Sequence, residues 1–200
     1  MRAWIYNKAL MGLTPHWYEN VLKQLPENAR LLDVGIGTGE ALLRNAALIR
    51  EKNLTIHGVD IDGAYLKHCD AHIEKQGLQD HVTCAHQSVY DHTEGPYDGV
   101  YFGASFMLLP DPTKALHHVA SLLKPEGLLY FTQTFHDKPS PMMEKIKPML
   151  HRVTTIHFGR VTYEQDFREV IQDAGMNLQS LNVMSTSGRT SYRSAVVNPS

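Results

Sequence analysis

The run Leu31-Leu32-Asp33-Val34-Gly35-Ile36-Gly37-Thr38-Gly39-Glu40 joins a buried-strand pattern to a carboxylate and three alternating glycines. A short apolar strand here delivers the chain to a turn where missing Cβ atoms let the backbone lie against a ligand. Ala41-Leu42-Leu43 then starts a helix. A dinucleotide-binding turn is the obvious comparison, but its G-x-G-x-x-G/A fingerprint, applied from Gly35, needs a small residue at position 40, where this chain has Glu40.

What remains is D-x-G-x-G-x-G, which resembles motif I of the class I S-adenosylmethionine (SAM)-dependent methyltransferases. The resemblance implies that Asp33 orients the methionine ammonium of the cofactor, often through water. It also implies that Gly35, Gly37 and Gly39 admit the methionine and sugar portions closely.

The next apolar-rich strand candidate, Leu54-Thr55-Ile56-His57-Gly58-Val59-Asp60, ends in an acid roughly 20 residues beyond the glycines, where doubly wound folds meet a ribose. Asp60 offers two acceptor oxygens to two hydroxyls, and Ile61 is placed to cover one face of the adenine. Asp62, followed by Gly63-Ala64-Tyr65-Leu66, reads as the N-cap of a helix. The third strand and its loop fall in His81–Asp91. The family often has an Asp after this strand, on the adenine amino group. Alignment from Val82 puts Ser88 there, with the Val89 amide in reach of a ring nitrogen; Asp91 is the alternative, or else a capping residue.

Tyr97–Phe102 reads as a fourth strand running into Gly103-Ala104-Ser105-Phe106, a segment that in the family passes beside both cofactor and acceptor. This assigns Gly103 to the cofactor and Phe106 to the acceptor. Pro110-Asp111-Pro112 starts the next helix. The absence of Asn-Pro-Pro-Tyr or Asp-Pro-Pro-Tyr disfavours adenine or glutamine nitrogen as the methyl acceptor. Lys124-Pro125-Glu126-Gly127 reads as a turn before a fifth strand, Leu128–Thr134, and Met176–Met184 with Thr190–Val197 reads as a terminal hairpin around Ser-Thr-Ser-Gly-Arg.

The expected fold is α/β: a Rossmann-like, doubly wound, seven-stranded sheet, mostly parallel, closed by a C-terminal antiparallel hairpin. We expect one domain over 1–200, with a helical lid region at 1–29, a SAM-binding core at 30–135, a substrate-specific insertion at 136–174 and the hairpin at 175–200.

A formal net charge of −2, with Lys and Arg scattered, disfavours a nucleic-acid partner. Cys69 and Cys84 lack metal-type spacing, and no run approaches the ~20 apolar residues that span a bilayer. A cytoplasmic protein with no membrane partner is expected, and a homodimer is compatible with the sequence. Twelve histidines invite a metal reading, but H-E-x-x-H and paired C-x-x-C are absent, and His117-His118 point about 100° apart on a predicted helix. No metal is expected.

A sulfonium leaving group needs no dedicated acid, so the protein must chiefly align the acceptor and exclude water. A base is required only for an acceptor that arrives protonated, and His136 and His157 are the candidates. Trp4, Tyr6 and Tyr18 are candidate acceptor contacts from an aromatic lid; the alternative for Trp4 and Trp17 is to hold an N-terminal helix to the core. The expected activity is transfer of a methyl group from SAM to a small molecule, leaving S-adenosylhomocysteine. A protein-side-chain methyltransferase and a non-catalytic SAM-binding regulatory subunit are the alternatives.

Overall fold

Seven strands form a single sheet in the order β3-β2-β1-β4-β5-β7-β6. The computed structural model describes residues 14–136 and 163–199. The strands are β1 (Arg30–Val34), β2 (Thr55–Asp60), β3 (Val82–His86), β4 (Tyr97–Gly103), β5 (Leu123–His136), β6 (Asn177–Ser187) and β7 (Thr190–Asn198). β1 to β5 pair in parallel, and β7 runs antiparallel between β5 and β6, making it the one reversed strand among the described residues.

Helices cover both faces, as a parallel sheet requires. On one lie α1 (Thr14–Gln24), α2 (Glu40–Leu43), α3 (Ala46–Glu51) and α4 (Gly63–Gln76), packed with Leu31, Ile56, Tyr101 and Tyr130. On the other, α5 (Pro112–Ala120) and α6 (Glu164–Asp173) pack with Leu32, Val34, Phe102 and Phe131. Alternation along β1 thus sends Leu31 and Asp33 to the α1 side and Leu32 and Val34 to the other.

The caps fall where expected. Asp62 Oδ1 accepts from the amides of Ala64 at 2.8 Å and Tyr65 at 3.3 Å, starting α4. Asp111 accepts from the Lys114 amide at 3.0 Å, with Pro112 in the first turn of α5. The helix expected from Ala41-Leu42-Leu43 is only one turn, and the chain resumes as α3 after Asn45.

Three boundaries depart from the sequence reading. Lys124–Gly127 is not a turn before the fifth strand but a bulge inside it: Tyr97 pairs with Leu123 while Gly99 pairs with Leu128. Lys124 Nζ grips both Asp98 oxygens at 2.8 Å, which holds the bulge in place. The terminal turn is shorter than expected, because β6 continues through Ser187. Residues 164–173, placed in a substrate-specific insertion, form α6, which buries Phe167 and Ile171 in the core.

Candidate active site

The parallel strands end along one edge, and between β1 and β4 successive connections leave in opposite directions, the crevice where such sheets bind ligands. The glycine loop sits there. The Gly35 amide donates to the Val59 carbonyl at 2.8 Å, and a Cβ on Gly35 would meet Ser105 Cβ at 2.6 Å. Ser105 Oγ in turn donates to the Val34 carbonyl. These contacts tie the β1 loop to the segment after β4.

Gly37 is the loop's open point: its φ is +60°, and nothing lies within 4 Å of where a Cβ would project. Its amide donates to Asp60 Oδ2 at 2.9 Å, while Asp60 Oδ1 accepts from the Asp62 amide at 2.8 Å. Asp60 is therefore first a clamp on the loop. Each of its oxygens keeps a second acceptor direction for a hydroxyl.

Asp33 is fully buried on the α1 side. Its Oδ2 accepts from the Tyr18 hydroxyl at 2.9 Å, and its Oδ1 has no partner. Burial pushes the carboxyl up to about 7; the Tyr18 hydrogen bond opposes this and the Asp60 charge adds to it. A buried carboxylate oxygen lacking a donor is costly, and a ligand ammonium, directly or through water, would supply what it lacks. Burial and the Asp33 carboxylate drive the Tyr18 phenol upward, so it stays a donor.

Sequence reasoning treated Tyr18 as an acceptor contact and missed this pairing; the ring instead packs edge-on to Tyr101 with centroids 4.9 Å apart. Its neighbour Trp17 is buried and lies against Tyr192, at 5.6 Å between centroids. It holds α1 to the sheet. A second missed residue is Gly58, where a Cβ would fall 2.4 Å from Ile36 Cδ1; the bare backbone of β2 is what seats Ile36 under the loop.

Phe106 requires correction. It has no exposed surface and packs against Phe102, Phe131 and Phe167, because the short 3₁₀ turn Phe106–Leu108 rolls its ring into the core. It lines no acceptor surface in this structure. Ile61, by contrast, is 77% exposed beside Asp60. Ser88 Oγ accepts from the Tyr90 amide at 3.3 Å and so takes the capping role considered for Asp91, which is exposed. Val89 is buried immediately after it. Gly103 ends β4, where a Cβ would come within 3.1 Å of the Tyr101 ring, and Ala104 follows with a left-handed φ of 61°. His136 is half-buried at the end of β5, paired with Thr190. Trp4, Tyr6 and His157 lie outside the described residues.

Several histidines serve the scaffold. His72, His81, His86 and His118 each turn a ring nitrogen to a main-chain carbonyl, those of Thr38, Leu54, Ile61 and His92, at 2.8–3.1 Å.

A family model described as "Methyltransferase domain" matches residues 6–181. The chain belongs to this family. Its sheet order and glycine loop are those of the class I, SAM-dependent methyltransferases. Among curated proteins, the arsenite methyltransferase of Mus musculus is 31% identical over 162 residues, covering 74% of this chain and 41% of that protein. The tRNA 5-carboxymethoxyuridine methyltransferase of Escherichia coli K12 is 29% identical, with coverages of 56% and 42%. The ubiquinone biosynthesis O-methyltransferase of Xanthomonas axonopodis pv. citri is 30% identical over 190 residues, with coverages of 88% and 75%. The chain thus spans about two fifths of the first two and three quarters of the third. A geranyl diphosphate methyltransferase solved with SAM superposes with a TM-score of 0.73 at 13% identity, covering 93% of this chain and 85% of that one. At that identity the likeness speaks for the fold.

Proposed function

We propose that this chain transfers the methyl group of SAM to a small-molecule acceptor. The observation that carries the reading is the unpartnered oxygen of buried Asp33, held by Tyr18 at the carboxyl end of β1 beside the open Gly37 backbone. A cationic ligand fits that carboxylate, and the uncovered loop leaves room for its chain.

SAM, when bound, supplies a methyl group on a sulfonium that leaves readily. Asp33 binds the ammonium, Asp60 the ribose hydroxyls, and exposed Ile61 covers the adenine, with Ser88 Oγ and the Val89 amide meeting its edge. Gly103 borders the methionine side. The residues thereby fix the cofactor so that an acceptor approaches in line, which is the main contribution a protein makes to such a displacement. His136 remains the base candidate among the described residues, at the same sheet edge; His157, the second candidate from the sequence, lies outside them.

A small acceptor is favoured by relatives named for arsenite and for ubiquinone biosynthesis and by a chain of formal charge −2, which offers little to a phosphate backbone. A cytoplasmic site of action goes with this reading. The relative named for tRNA makes a nucleic-acid acceptor the second reading.

Calorimetric titration with SAM, S-adenosylhomocysteine and NAD is the deciding test of the cofactor. Saturable binding of the first two without NAD is expected; NAD binding alone, or no binding, overturns the assignment. Turnover is then read as S-adenosylhomocysteine release with catechols, thiols, amines and trivalent arsenic as acceptors, against unmodified tRNA. Release with tRNA alone would replace the small-molecule reading with the second one.

A further inference from the structure

A pair of thiols lies beneath the glycine loop, and methyl transfer makes no use of it. Cys69 on α4 and Cys84 on β3 bring their Sγ atoms to 3.0 Å, and both are free. Cys69 is fully buried, and its sulfur floors the loop: a Cβ on Gly39 would lie 2.6 Å from it. Three residues along the same helical face, His72 turns Nδ1 to the Thr38 carbonyl at 3.1 Å. Helix α4 is therefore the platform on which Thr38 and Gly39 rest. Cys84 is half-buried and lines an open pocket of about 440 Å³ with Gly63, Leu66, Lys67, Asp70 and His86, which gives a small oxidant access to its sulfur.

We propose that Cys69 and Cys84 form a reversible redox modification site, whose disulfide loosens the glycine loop through Gly39 and weakens cofactor binding. Only the second consequence rests on the methyl-donor reading above. Hydrogen peroxide is the oxidant class. The Cys84 sulfur attacks one peroxide oxygen, the O–O bond breaks, and the departing hydroxide takes the thiol proton as water, leaving a sulfenic acid. The Cys69 sulfur then displaces hydroxide from that sulfur, forming the S–S bond and a second water. Two thiols and one peroxide thus become one disulfide and two waters.

The geometry sets the direction of the effect. A disulfide holds its sulfurs about 2.0 Å apart, so this pair must close by roughly 1 Å. Any share taken by Cys69 shifts the sulfur against which Gly39 is seated and disturbs the floor of the loop. The hydrogen bond to the Cys69 thiol, and then burial, drive the Cys84 thiol upward, so the reaction is slow near neutrality and quickens with pH.

The test uses the full chain treated with hydrogen peroxide and quenched. Intact mass under non-reducing conditions should fall by two hydrogens, both thiols should resist alkylation, and a dithiol reductant should restore them. Amide hydrogen exchange over residues 35–43 should quicken in the oxidised form and recover on reduction, with SAM binding weakened about tenfold. Cys84→Ser should show none of these changes while binding SAM as the reduced protein does. Oxygen added to separate sulfurs without the two-hydrogen loss overturns the proposal, as does a disulfide that leaves exchange at 35–43 unaltered. Failure of the reduced protein to bind SAM would strike the cofactor assignment instead, and mass and exchange would still decide the modification.

Discussion

The Tyr18 hydroxyl donates to Asp33 Oδ2 at 2.9 Å across an interface that joins α1 to the end of β1. One carboxylate oxygen is thereby fixed and the other left without a donor. The arrangement leaves one oxygen of a buried carboxyl group without a donor, which is what the proposed ammonium site requires.

The pH dependence follows from that burial. Asp33 is held at about 7 against an ordinary 3.8, so the folded state retains a proton that the unfolded chain gives up. Its contribution to stability is full below about pH 4 and falls, at up to ~1.4 kcal/mol per pH unit, as pH rises toward 7. A bound ammonium favours the carboxylate, so SAM affinity should fall up to tenfold per unit below about pH 7. Titrations at pH 5.5 and 7.5 check this; equal affinities would remove Asp33 from the site. Asp33→Asn should lose at least tenfold in affinity, and Tyr18→Phe, which deprives the carboxylate of its donor, should raise the pH at which affinity declines.

Asp60 makes a different prediction, because both its oxygens already serve the backbone of the loop and of the α4 cap. Asp60→Ala removes the acceptor from the Gly37 and Asp62 amides and should cost about 1–3 kcal/mol, read as a melting temperature lower by some 2–4 °C per kcal/mol. SAM affinity should fall further than this unfolding cost explains if the same carboxylate meets the ribose. Stability lost with affinity retained would confine Asp60 to its clamping role.

The legible parts of this molecule are local in the chain. The acid and glycines of motif I occupy seven positions from Asp33 to Gly39, and Asp60 follows at a spacing fixed by one helical crossover. Both were readable because strand ends and turn residues carry their own chemistry. Tyr18 was misassigned because its partner depends on how α1 docks, which no pattern within Thr14–Gln24 encodes. Phe106 was misplaced because one 3₁₀ turn decides whether a ring faces a crevice or the core. The Cys69–Cys84 approach joins a helix to a strand, and spacing in sequence is silent on it.

Gly58 shows how tightly the loop is seated from below. A methyl there would collide with Ile36 Cδ1 and Cγ2, at 2.4 and 2.8 Å. Gly58→Ala should therefore destabilise by about 1–3 kcal/mol and weaken SAM binding, since Ile36 lies between two glycines of the loop. The second substitution Ile36→Ala should recover part of the loss relative to the sum of the single changes. Strict additivity in a double-mutant cycle, measured by denaturant unfolding, would show that the two positions do not press on each other.

A stacked histidine pair on the opposite face, His92 buried and His57 half-buried, should act against Asp33. His57 and His92 stack with centroids 5.1 Å apart, and His92 is buried between the Gln87 amide at 2.6 Å and the Tyr97 hydroxyl at 2.8 Å. Burial lowers both rings below their ordinary 6.5, so the unfolded chain takes up protons more readily than the folded one. Their contribution is present above about pH 6.5 and is lost as pH falls through that value toward the lower folded ones. In the native chain the Asp33 slope runs the other way over part of this range and masks it. Asp33→Asn removes that opposing term, so the melting temperature of this variant should rise between pH 5.5 and 7. Adding His57→Leu should flatten the rise, because only one of the stacked rings then remains to titrate. A slope unchanged by His57→Leu, with the single variant still folded, would show that the acid sensitivity arises elsewhere.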